Sequence, residues 1–154
     1  MRVGDETLAV QEWAYTALCA SVSVREALGQ YLGTPVAPEA VQGHVWPDVA
    51  PPGVDPVIVL SPGEGLDVPV IGPYDRLFSA IPLNVRAVGQ TEAYDLLGPI
   101  ARAIYRTLHG SHNAPVSADG MVLTCMRQGP IQYPEESGSI QYRHLGHQFQ
   151  VNVQ

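Results

Sequence analysis

The residues of this chain that could do chemistry are five histidines, fifteen carboxylates and two cysteines. His109 and His112 stand three apart, as do His144 and His147, a repeat that invites a metal reading. Residues three apart on a strand point to opposite faces, so His144 and His147 cannot converge on one ion without a bulge. The helix-stopping Gly110 separates the first pair. The expectation is hydrogen-bonded or solvated imidazoles, with no metal site.

Nucleophilic catalysis needs a serine or cysteine on a strained turn beside a base. No glycine-x-serine-x-glycine elbow occurs, Cys19 falls in a helical pattern, and Ser137 between Glu136 and Gly138 reads as turn chemistry. Cys19 and Cys125 lie far apart in apolar surroundings and are read as reduced core residues. Gly63-Glu64-Gly65 lacks the third glycine, the following helix and the lysine of a phosphate-binding loop. Glu135 and Glu136 are expected in a turn, solvated, because nothing apolar nearby would raise a carboxyl pKa. No catalytic, cofactor-binding or metal-binding residue is assigned. A small hydrolase or lyase would need a ligand pocket that the sequence does not name.

Composition narrows the classes further. The chain has 154 residues, 45% of them hydrophobic, enough for a single domain spanning 1–154 with its own core. Its net charge is −7, and all eight cations are arginines. Binding to a phosphate backbone or an anionic membrane is therefore a poor default, since both need a basic face. Charged residues make up 15%, against roughly 25% in soluble domains, which suggests that some surface is buried against other subunits. No run approaches the roughly 20 apolar residues of a membrane span. The acidic start lacks the basic region of a signal peptide, so a cytoplasmic or particle-bound chain is expected.

The elements that must position these residues follow from periodicity. Residues 7–20 place Leu8, Val10, Trp13, Ala14, Ala17 and Leu18 at helical spacing, with Asp5 as N-cap and Trp13 in the core. Ser23 and Glu26 have capping-box spacing for a second, short helix, with Gly29 and Gly33 beyond to stop it and residues 21–23 as the joint. Prolines at 35, 38, 47, 51, 52 and 56 leave room only for short edge strands, at 44–46 and 57–60. Trp46 is either core or an interface anchor. Residues 61–79 read as a long, mobile loop, with room for a small hairpin at 67–71. Residues 81–88 alternate as a half-buried strand. Residues 91–109 read as a helix capped by Thr91, with a buried stripe through Ala93, Leu96, Leu97, Ile100, Ile104 and Leu108 and a kink at Pro99. A polar loop at 111–113, a strand at 121–126, a turn-rich stretch at 128–138 and a final strand from 145 to 153 complete the pattern. The fold class is α+β, a largely antiparallel sheet with two main helices on one face.

Within that layout, Val45-Trp46-Pro47-Asp48-Val49-Ala50-Pro51 followed by Pro56-Val57-Ile58-Val59 resembles a passage of the tail-terminator, or tail-completion, proteins of long-tailed, siphovirus-type bacteriophages. The opening helix, the strand Leu83-Asn84-Val85-Arg86 before a second helix, and the closing strand through Tyr142 to Val151 are also similar to that family in order. The chain departs from the pattern in the stretch 61–79, at Pro99, and at Val57 where an aromatic residue is usual.

The resemblance implies a structural virion protein of the tail–neck region, assembled in the host cytoplasm. Such a subunit forms a homo-oligomeric ring, usually of six, on the head-proximal end of the tail tube. It would contact the major tail protein and a head-completion or connector protein, and DNA would pass through its lumen without specific binding. A head–tail connector or another neck component is the alternative. Trp46 and Asp48, and the acids Glu64, Asp67, Asp75, Glu135 and Glu136, are the candidate interface or lumen residues. A lumen through which DNA slides is expected to be neutral to acidic.

Overall fold

Period-two alternation decides the centre of the molecule. In the computed structural model, which describes residues 6–69, 76–117 and 120–154, two fourteen-residue strands, β4 (Arg76–Gly89) and β7 (Ile140–Val153), pair antiparallel from Ser79↔Val153 to Gly89↔Arg143. Ile81, Leu83, Val85 and Ala87 on β4, with Phe149, Val151 and Val153 on β7, turn one face inward and are buried. Each large apolar side chain so buried contributes about 1.5–3 kcal/mol.

Around this pair stand β1 (Val45–Pro47), β2 (Val57–Pro62), β3 (Leu66–Pro69), β5 (His112–Ser117) and β6 (Gly120–Ser137). The sheet order is β1-β2-β4-β7-β6-β5, with β3 also paired to β4. Only β1 against β2 is parallel among these pairings.

The helices α1 (Glu6–Ala20), α2 (Val22–Leu32) and α3 (Gly98–Leu108) close the inward face. Val10, Ala14 and Leu18 of α1, Val24 and Leu28 of α2, and Ile100, Ile104 and Leu108 of α3 share one core cluster with the sheet. The architecture is the expected α+β arrangement. A smaller cluster on the other face gathers Val57, Val59 and Val88 with Trp46, Ala50, Val54 and Tyr142.

Several local expectations are corrected. Ser21, not Ser23, caps α2: its hydroxyl accepts from the Val24 N–H at 3.2 Å and bonds the Thr107 hydroxyl at 2.8 Å. Gly33 ends that helix at φ +76°, where a side chain would be strained, while Gly29 lies within it and stops nothing. Leu8 leaves the buried stripe of α1, with Ala9 in its place, and Trp13 is only half-buried. Asp5 lies outside the described residues.

No kinked helix runs from 91 to 109. Pro99 sits in the first turn of α3, where its missing N–H costs nothing. A separate 3₁₀ turn, Tyr94–Leu96, precedes it. Thr91 accepts from the Ala93 N–H at 3.0 Å and so caps a turn rather than a helix. Ala93 and Leu96 are exposed.

The sheet also takes in what read as loops. β2 is interior rather than an edge, because all of 57–60 is buried between β1 and β4. The stretch 61–79 is strand at both ends, with β3 paired to β4 through Leu66↔Ala80, Asp67↔Ser79 and Val68↔Phe78; its tip, 70–75, lies outside the described residues. His112 and Asn113 belong to β5, not to a loop. The stretch 128–138 is strand through Ser137, and the turn comes only at Gly138, φ +63°. Pro130 and Pro134 fit because beyond Met126 the strand pairs with β7 alone, so alternate backbone nitrogens face an open edge.

Candidate functional site

Two surfaces gather the candidate residues. At the β1 edge, Trp46 is half-buried on the outer face of the sheet, and its indole N–H donates to the Gly43 carbonyl at 2.8 Å. Trp46 also lines, with Glu12, Tyr15, Gln42 and Pro47, a cleft of about 470 Å³ between α1 and the edge strand. Asp48 follows at φ +59°, exposed, its N–H held by the Leu60 carbonyl at 3.0 Å. The short β1 leaves one side of its backbone unpaired among the described residues, the arrangement through which sheets accept another chain.

The second surface is an arm. β6 and β7 continue past the body of the sheet as a two-stranded ribbon in which every residue from 132 to 140 is exposed. Glu135 and Glu136 lie on this ribbon, paired across to Tyr142 and Gln141, not in a turn as expected. A two-stranded ribbon with both faces in water is marginal on its own.

At its base the histidines do the fastening. His144, 5% exposed, accepts from the Arg86 guanidinium on Nδ1 at 3.1 Å and donates from Nε2 to Glu135 at 2.5 Å, with its ring stacked on Tyr133. On the opposite face His147 accepts from the Arg127 guanidinium on Nδ1 at 2.9 Å and donates to the Ala101 carbonyl at 2.7 Å. His109 accepts the Arg127 backbone N–H at 3.0 Å and stacks on Tyr105. Burial holds the pKa of both His144 and His147 below the usual imidazole range. The Glu135 contact pulls His144 back upward, as the Ala101 carbonyl does His147, while Arg86 and Arg127 respectively add to the lowering. His144 and His147 do point apart, and each histidine is tied to a protein partner, His44 to Pro56 and His112 to Gly110. Among the described residues no group of three His, Cys, Asp or Glu gathers to hold a metal ion.

The remaining candidates are dispersed. Glu64 is exposed just beyond β2, Asp67 stands in β3 opposite Ser79, and Asp75 lies outside the described residues. The Glu64–Asp67 end adjoins the start of β4, whereas the arm adjoins its finish at Gly89. These acids therefore occupy opposite ends of the strands and form no common cluster.

The cysteines are free, and burial pushes the Cys125 thiol up to about 12; Cys19 is only half-buried. Sequence reasoning missed Asp55, which accepts from Tyr31 Oη at 3.1 Å and from the Gln90 N–H at 3.0 Å. It also missed the outward face of α3, where Arg102, Tyr105 and Arg106 are exposed. The signal for that face was the absence of any acid from a helix carrying two arginines.

No family model matches the chain, and the search of curated proteins finds no match. Among solved structures it is similar to a chain from the virion of a native gene transfer agent (GTA) particle. The TM-score is 0.52 at 14% identity, covering 88% of this chain and 97% of that one. The likeness establishes a shared fold over nearly the full length of both chains.

Proposed function

We propose that this protein is a structural component of a phage-like virion, and specifically a tail terminator. Its subunits close into a ring, most simply a hexamer, on the head-proximal end of the tail tube, stop tube growth and present the head-joining surface. The observation that carries this is the fold shared across 97% of a chain from a gene transfer agent virion. The tail-terminator-like passage around Trp46 agrees with it, because it forms the β1 edge and its link to β2. A subunit with two unlike sheet edges suits cyclic closure.

Its role is structural rather than catalytic, and its partners are the tube protein on one side and a head-completion or connector protein on the other. DNA passes through a neutral to acidic lumen, for which Glu64 and Asp67, with Asp75, are the lining candidates. Tail tubes assembled with and without the purified protein, viewed by negative-stain electron microscopy, test this. The expected result is rings on one end of tubes of fixed length. Tubes that keep growing and carry no ring, or rings that bind only portal-side components, would overturn the terminator reading, the latter in favour of a connector.

A further inference from the structure

Glu136 on the arm and the arginines on the outward face of α3 are opposite in charge, and within one copy they form no ion pair among the described residues. The ribbon carries Glu136 near its tip, exposed and without an ion-pair partner among the described residues, on the face opposite Tyr133 and Ile140. α3 presents Arg102, Tyr105 and Arg106 outward. Arg102, Tyr105, His109, Arg127 and His147 surround a hollow of about 400 Å³. Among the described residues no carboxylate forms an ion pair with Arg102, Arg106 or Arg127, although Glu26 of α2 lines a hollow with Arg102 and Arg106. We propose that the β6–β7 arm of one copy docks across α3 of a second copy by the face that carries Glu136, with Glu136 against Arg102 and Arg106.

Three considerations favour a second copy over other occupants. The ribbon needs cover that its own chain does not supply. The charges on arm and helix are opposite, which sets register and orientation at an interface. A phosphate backbone fits less well, because three arginines on a chain of net charge −7 neutralise too few phosphates to hold one.

The inference rests on the ring reading, and the test separates the two. Self-association of the full chain, free and on tube ends, is measured by analytical ultracentrifugation and microscopy for wild type, Glu136→Arg, Arg102→Glu and the double variant. Glu136→Gln serves as a milder change, and melting curves confirm folding. Each single reversal is expected to weaken association about tenfold or more, and the double to restore it to within about threefold of wild type. Rings that form equally well in every variant, or a double variant no better than the singles, would overturn the docking while leaving the ring intact. A wild-type chain that stays monomeric with and without tubes would overturn both. A short DNA duplex that binds wild type and is released by Arg102→Glu, with association unchanged, would reassign the α3 face to phosphate.

Discussion

At Gly146 the absence of a side chain is a requirement of the pairing. A Cβ there would stand 2.1 Å from the Val85 carbonyl oxygen and 2.4 Å from the Arg86 Cα, both backbone atoms that cannot swing aside. Gly146→Ala is expected to destabilise by roughly 1–3 kcal/mol or more through overpacking, read as a lower urea midpoint. The histidines make a second prediction at this scale. Both His144 and His147 have folded pKa values below 6.5, so the unfolded chain takes up protons first as the pH falls. Their contribution to stability is whole above the unfolded value and is lost as pH drops through the lower folded value. Melting temperature should fall between pH 7 and 5, and His144→Gln with His147→Gln should flatten that slope. An unchanged slope in the double variant would refute the assignment. The facing of these two imidazoles was legible from strand parity alone. Their guanidinium partners were not, because Arg86 and Arg127 lie 58 and 20 residues away in sequence.

At the scale of elements, the boundary between α1 and α2 rests on one hydroxyl. Ser21→Ala should cost about 0.5–2 kcal/mol, since it leaves the Val24 N–H uncapped and the Thr107 hydroxyl without that partner. Ser23→Ala should be close to neutral, and chemical denaturation of the two variants side by side checks it. Capping-box spacing had pointed to Ser23, but the helix begins two residues earlier. The strands with clean alternation, 81–88 and 145–153, were legible because one face meets helices and the other does not. The second half of β6 was not, since Gly129, Pro130 and Pro134 are the residues that usually mark turns. They are tolerated there by an open edge that no local pattern announces. Pro99 misled in the same way: in sequence it interrupts a helical stripe, and in the fold it starts the helix.

Across the whole molecule the arginines avoid one flank. Residues 6–20 and 34–66, which build α1, β1 and β2, carry acids and no arginine, while α3 carries Arg102 and Arg106 and no acid. Composition alone gives net charge and a shortage of charged surface, but that the arginine-free strands share one flank depends on the strand order. If unlike flanks or arms meet in the assembly, association should weaken as salt rises from about 0.05 to 0.5 M, because exposed charges are screened within about 10 Å at 0.1 M. Sedimentation across that range measures it, and association that strengthens with salt would instead mark an apolar contact. The α+β class was legible because it follows from patterning. The candidate site was less so, since Trp46, Glu64 and Glu136 stand on separate parts of the surface.

β7 follows every other described element in sequence, yet it lies between β4 and β6. During synthesis, therefore, a nascent chain cannot join the two halves of its sheet until residues 140–153 have left the ribosome. Until then the strands β1 to β4 and the pair β5–β6 are two unjoined pieces, and β7 is the strand that makes them one sheet. A chain truncated after residue 139 should fail to fold, and a synthetic peptide of residues 140–154 added in trans should recover part of the sheet signal by circular dichroism.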